Sequence, residues 1–288
     1  MLLQIIDQFV ERSKSLRVAV VGETITDEFH YVSYEGQSMK SICPVFRLTG
    51  RKTIQAGGAA AIANHLKGFV KSVELISNSP EEIIKTRYID EADEKKHVEI
   101  NSFNVNEKAF NVDVNDYDVV IVADFGHGFC NDLSINDGFH LMCQTNSNNF
   151  GFNRISKWKS YRKKSVCIDL REASLQLNRK LNFQHEEEID QLYNYELNTE
   201  KLFITLGSKG SLFYDGVNIQ SHHSYKSNIV DTIGAGDTYF AFACIASHLF
   251  EEDTMIIPSL AASLSTTWLC NEQSVNIQNL RAHAAQFI

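Results

Sequence analysis

Short Val- and Ile-rich runs recur along the chain with room for a helix between them, and this rhythm limits the fold more than any single motif. They are Arg17–Gly22 (RVAVVG), Ser72–Ser77 (SVELIS), Asp118–Gly126 (DVVIVADFG), Ser165–Leu170 (SVCIDL) and Lys201–Gly207 (KLFITLG). Several are almost continuously apolar, as parallel strands buried on both faces are. Helical spacing follows at Ala59–Phe69, after Asn131 and at Thr238–Phe250. Strand alternating with helix predicts an α/β chain with a mostly parallel central sheet and helices on both faces. Two segments break the rhythm. Residues 27–54 carry "FHYVS" and "PVFRLT" around a loop containing Gly and Ser, and residues 85–106 offer a second ribbon. Both read as a small β lid inserted into one domain spanning residues 1–288.

A formal net charge of -9 argues against a nucleic-acid or anionic-membrane partner, while leaving room for a local basic pocket. No apolar run approaches the roughly 18 residues needed to span a bilayer. The start, MLLQIIDQFVERSKSLR, lacks the pattern of a signal peptide. The six cysteines, Cys43, Cys130, Cys143, Cys167, Cys244 and Cys270, are scattered without a C-x-x-C pair. That spacing predicts buried free thiols and a reducing, cytoplasmic setting.

The stretch with the most chemistry is VDTIGAGDTYFAFACIA, Val230–Ala246. Glycines at a helix start let backbone N–H groups crowd around an anion, and the helix dipole adds positive character. Gly234, Ala235 and Gly236 thus suit an anion hole. Asp237 at its rim would repel a bare phosphate, and taking a proton from a hydroxyl that attacks a γ-phosphate fits it better. The same residues would also serve as a plain turn with Asp237 capping the helix.

DTIGAGD resembles the C-terminal signature of the PfkB/ribokinase family of sugar and nucleoside kinases. VVGETITDEF, AGGAAAIANHLKGF and ITLGSKG resemble its opening strand, its Gly-Gly signature and its nucleotide-side turn, in the family's order. GETITDEFHYV, GGAAAIANH, VADFGHG, QTNSNNFGFNRISKW and VCID look like the branch related to ADP-heptose synthase, some members of which are fused to a nucleotidylyltransferase. The likeness runs from about residue 17 to 276. It implies a ribokinase-like fold and an ATP-dependent kinase acting on a sugar or sugar phosphate, a heptose phosphate among them. By the resemblance, Asp237 is the catalytic base and Gly234, Ala235 and Gly236 receive charge on the transferring group. Asp27, Gly57, Gly58 and Asn64 correspond to the sugar site, and Asp124 and His127 to a loop beside it. Gly207, Ser208, Lys209 and Gly210 border the nucleotide. Asp231 and Thr232 match positions that hold K⁺ in some relatives.

Asp169 and Glu172 stand where many members carry Asn-x-x-Glu near Mg²⁺. Leu170 and Arg171 between them depart from the closer branch, where an acid and a proline are expected. A salt-bridged surface pair is the other reading of those two acids. Lys40, Arg47, Arg51, Lys52, Lys85 and Arg87 lie on or near the lid, where they suit either a phosphate already on the sugar or a solvated surface. Adjacent His222 and His223 face opposite ways in a strand and make a poor metal pair. Lid ribbons in this family often pair, which implies a homodimer. A nucleoside kinase, or a silent sugar-phosphate-binding partner of a nucleotidylyltransferase, are the rival readings. The altered IDLRE and the short stretch from Asn78 to Lys108 favour the silent module, and an intact Asp237 opposes it.

Overall fold

The structure is a computed structural model that describes residues 2–106, 109–144, 153–183, 186–251 and 255–288. Most of the QTNSNNFGFNRISKW stretch therefore lies outside the described residues. The chain opens with α1 (Leu2–Ser13), β1 (Arg17–Gly22), β2 (Thr24–Gln37), β3 (Pro44–Gly58) and α2 (Ala59–Leu66). Strands β4 (Ser72–Ile76), β5 (Ile83–Asp90), β6 (Lys96–Phe103), β7 (Phe110–Val112), β8 (Val119–Asp124), β9 (Leu133–Ile135), β10 (His140–Cys143) and β11 (Ser165–Asp169) follow. Then come α3 (Leu170–Gln176), α4 (Glu186–Gln191), β12 (Leu202–Thr205), β13 (Ser211–Tyr214) and β14 (Ile219–His222). The chain ends in α5 (Ala235–Leu249), α6 (Ile256–Ser265) and α7 (Ile277–Ala284).

Eight strands form one sheet in the order β14-β13-β12-β11-β10-β8-β1-β4. From β12 to β4 every neighbour is parallel, and β13 and β14 add an antiparallel edge. Alternate side chains divide between two cores, because successive residues of a strand point to opposite faces. Val18, Val20, Ile121, Cys167 and Phe203 pack with α1, α2, α5, α6 and α7. Ala19, Val21, Val122, Ile168 and Ile204 pack on the other side, around Trp158 and Leu192. This double burial is why the strands read as unbroken apolar runs.

The stretch after Asn131 is not helical. Leu133 and Ile135 are buried while Ser134 between them is exposed, so this is the period-two pattern of strand β9, which pairs with β7. A second sheet, in the order β3-β2-β5-β6, is built from the two segments that interrupt the strand–helix rhythm. Its β2–β5 pairing is parallel, so only the inner part of a long β2–β3 hairpin is covered. Phe29, Tyr31 and Ile89 of this sheet pack with Cys270 from the C-terminal region. All six cysteines are free, and only Cys43 is exposed. No helix among the described residues is long and apolar enough to cross a membrane.

Candidate active site

The carboxyl ends of β11 and β12, the start of α5 and the near face of the second sheet enclose a cleft of about 1680 Å³. Ligands of open α/β sheets collect at such strand ends. Gly234 caps α5 at φ +84°, in the left-handed region. A Cβ there would also lie 2.7 Å from Asn271 Oδ1, so the Asn271 side chain would have to shift as well. Ala235, Gly236 and Asp237 make the first turn of α5 and line the cleft. First-turn N–H groups have no acceptor within a helix, and the positive helix end lies beside them. The Ala235 N–H reaches Thr232 O at 3.3 Å. Burial, and then the charge of Asp27, push Asp237 up to about 7, with Lys85 pulling the other way. Gly234 rather than Asp237 occupies the capping position.

The second sheet supplies the facing wall. Its register aligns Gln55, Asp27, Lys85 and Asn101 in one row, and Thr53, Phe29, Arg87 and Glu99 in the row two residues on. Residues paired in register share a face. Asp27, Lys85, Arg87 and Glu99 accordingly all meet the cleft. Asp27 is buried and ion-paired with Arg87, whose Nε also donates to Glu99 at 2.8 Å. Gly57 permits this arrangement, because a Cβ there would lie 2.3 Å from Asp27 Oδ2. Lys85 differs from its neighbours. It has no hydrogen bond or ion pair among the described residues. Burial lowers its pKa, against the opposing charges of Glu99, Asp27 and Asp237. Of the basic residues on this sheet, Arg47 and Lys52 pair with Glu35 and Glu28, and Arg51 lies over the Tyr31 ring. Lys85 and Arg87 are the ones that line the cleft.

At the other end, Gly207, Ser208 and Lys209 form one tight turn and, with Gly210 and Thr232, line the same cleft. Gly210 sits at φ +98°, and a Cβ on it would meet His222 O at 1.9 Å. Asp169 and Glu172 line the cleft as well, but they are joined in a capping box. The Glu172 N–H donates to Asp169 Oδ1 at 2.6 Å, and the Asp169 N–H donates to Glu172 Oε2 at 2.8 Å. The pair starts α3, so it is no salt-bridged surface pair. Each carboxylate uses one oxygen in the box and faces the cleft, a donor set that fits a hard cation.

Four expected site residues lie elsewhere. Asn64 accepts from Lys67 Nζ at 2.8 Å on α2 and does not line the cleft. Asp124 is fully buried beneath it, where Lys157 Nζ and Trp158 Nε1 each approach at 2.7 Å. His127 stacks on Phe103 with centroids 4.6 Å apart, and burial holds its pKa near 4, so it carries no charge for a phosphate. Asp231 receives Lys96 Nζ at 2.6 Å and the Cys270 N–H at 3.2 Å. A K⁺ at its carboxylate would meet that ammonium, so the residues present do not fit one there. Glu23, Asp124 and Cys130 bring ligand atoms within 4.8 Å of one another. Lys157 already neutralises Asp124, and burial followed by the Asp124 charge pushes Glu23 up to about 8, so this cluster keeps a proton. Asn271 is a cleft residue with no sequence signal. It reaches the site from distant chain, its N–H donating to Gln55 Oε1 at 2.8 Å.

Comparison with known proteins accords with this geometry. Residues 165–267, which hold α3, the Gly207–Lys209 turn and α5, match the pfkB family carbohydrate kinase. A ribokinase of Lactococcus lactis is 39% identical over 70 residues, a stretch that is 23% of this chain and 23% of that protein. Among solved structures, ribokinase from Thermotoga maritima superposes with a TM-score of 0.67 at 15% identity, covering 94% of this chain and 99% of its own. Arabidopsis thaliana ribokinase, complexed with ribose and ATP, gives 0.65 at 14% identity over 94% and 99%. The fold is thus that of the ribokinase-like sugar and nucleoside kinases. The family match thus covers the C-terminal part of the cleft, and the likeness over the rest of the chain is one of fold.

Proposed function

We propose that this chain is an ATP-dependent kinase that transfers the γ-phosphoryl group to a hydroxyl of a sugar or sugar phosphate. The observation that carries the reading is Asp237. It stands in the first turn of α5, beside N–H groups with no helical acceptor, and is pushed up to about 7. A carboxylate poised near neutral pH is a good proton acceptor for an attacking hydroxyl. The acceptor sugar lies between Asp237 and the Asp27 row. Asp27 keeps lone pairs beyond its Arg87 contact, and these accept from sugar hydroxyls. As the hydroxyl attacks, its proton passes to Asp237. The N–H groups of the anion hole meet the charge that develops on the transferring group. Gly207–Gly210 and Thr232 border the ATP. Asp169 and Glu172 would hold Mg²⁺, which would supply positive charge to the phosphate oxygens.

Lys85 favours an acceptor that is itself anionic. An ammonium with no ion pair of its own is costly to bury, even with the charges of Glu99, Asp27 and Asp237 nearby, and a negatively charged ligand offsets that cost. A heptose phosphate fits this class. The second sheet acts as a lid that excludes water, the competing acceptor. Its outer face supports a homodimer.

The test is ATP consumption with Mg²⁺ against heptose phosphates, hexose phosphates, free hexoses, pentoses and nucleosides. Turnover on one sugar, lost by about 10²–10⁴-fold in Asp237→Asn with ATP affinity kept, is the expected result. Equal turnover in the variant would remove Asp237 from the mechanism. Sugar-phosphate binding without any turnover would leave a silent binding module.

A further inference from the structure

His65 is buried in α2, next to Asn64 at the end of the Gly-Gly stretch, and does not line the cleft. Its ring is nevertheless bonded at both nitrogens. The Val275 N–H donates to Nδ1 at 3.0 Å. A backbone N–H can only donate, so Nδ1 is bare and the proton of the neutral ring sits on Nε2. Burial supports that state by holding the ring pKa near 4. Nε2–H therefore donates to Thr238 Oγ1, 3.0 Å away. The Thr238 hydroxyl spends its own proton on Gly234 O at 2.9 Å, and the Thr238 N–H reaches that same carbonyl at 2.9 Å.

The chain of bonds ends at the Gly234–Ala235 peptide at the mouth of the anion hole, whose N–H meets Thr232 O at 3.3 Å. A peptide unit is planar, so fixing the Gly234 carbonyl also fixes the direction of the Ala235 N–H. Gly234 needs fixing, since glycine at φ +84° has freedom that other residues lack. Thr238 also follows Asp237 directly. Anchoring its side chain to α2 settles the rotation of the first turn, and with it the aim of the base.

We propose that His65, acting through Thr238, is a positioning residue for the anion hole and for Asp237. The inference rests on the kinase reading. It assigns the two ring nitrogens different work. Nε2 serves the anion hole, and Nδ1 only ties the Val275 segment to α2.

Two amide variants separate those arms. The oxygen of His65→Asn stands near the place of Nδ1 and keeps the Val275 bond but gives Thr238 no donor. The amide nitrogen of His65→Gln stands near the place of Nε2 and keeps the Thr238 bond. Calorimetry with Mg²⁺ would compare ADP with ADP plus aluminium fluoride, a mimic of the transferring phosphoryl group. The wild-type chain should prefer the fluoride complex. His65→Asn should lose about tenfold of that preference with ADP affinity within twofold, and His65→Gln should keep most of it. Thr238→Val makes the same break from α5 and should match His65→Asn, which covers the case in which the latter does not fold. An unchanged preference in His65→Asn or Thr238→Val overturns the inference. So does an equal loss in His65→Asn and His65→Gln, which marks a merely structural role. A wild-type chain that binds no ADP overturns the kinase reading itself, and one that binds ADP without any preference overturns the anion hole.

Discussion

A half-buried acid held near neutrality is a cost to the fold. Asp237 has an ordinary pKa of 3.8 and is pushed up to about 7, first by burial and then by Asp27. Between those values the unfolded chain has released the proton that the folded chain still holds. Stability must therefore fall as pH rises from about 4 to 7, and above 7 the whole penalty is present. Asp237→Asn removes the charge. It should stabilise the protein by about 2–4 kcal/mol at pH 8 and by little at pH 4. Thermal melts of both proteins at the two pH values check this, and equal gains at both would contradict it. Turnover should move oppositely, rising with pH to a plateau above about 7 because only the deprotonated base accepts the proton. The place of Asp237 in the first turn of α5 was legible from DTIGAGD, although the same residues also suit a plain capped turn. The pairing of Asp27 with Arg87 was not, because it depends on the register of a parallel pair whose strands are far apart in sequence.

At the level of elements, α3 carries two demands on the same pair of acids. Asp169 caps the helix and closes the box with Glu172, and both line the cleft. Asparagine caps about as well as aspartate, whereas alanine does not. Asp169→Asn should thus leave the melting temperature almost unchanged while raising the Mg²⁺ concentration needed for half-maximal turnover. Asp169→Ala should show the same Mg²⁺ effect and also lose about 1 kcal/mol of stability. If neither variant alters the Mg²⁺ dependence, the pair is a cap and nothing more. The spacing of these acids was visible in IDLRE, but the capping box was not inferred from it. The strands of the main sheet were legible because two-sided burial removes polar residues from them. Strand β9 escaped because three residues are too few for a period to stand out beside Gly138 and the polar residues around it.

On the scale of the whole molecule, the second sheet has two faces with opposite characters. The rows holding Asp27, Lys85, Arg87 and Glu99 face the cleft. Register places Ile54, Glu28, Thr86 and Ile100 in a row between those two, and so on the outer face. Lys52, His30, Tyr88 and Val98 form the next outer row. Ile54 and Ile100 are 61% and 54% exposed, although both sit mid-strand. Apolar side chains on a flat sheet with open edges invite another strand layer. A second copy of the same sheet offers the matching surface, and twofold pairing would close the assembly without leaving an edge to propagate. Sedimentation velocity should give twice the chain mass. Ile54→Lys combined with Ile100→Lys should give the chain mass, since two buried ammonium groups per copy would oppose contact. The paired variant keeps the Asp27 row intact, so it should still bind sugar. If the lid needs its partner to stay shut over the cleft, that binding weakens in step with dissociation. A wild-type chain that sediments as a monomer at micromolar concentration would leave the outer face without a partner of its own kind.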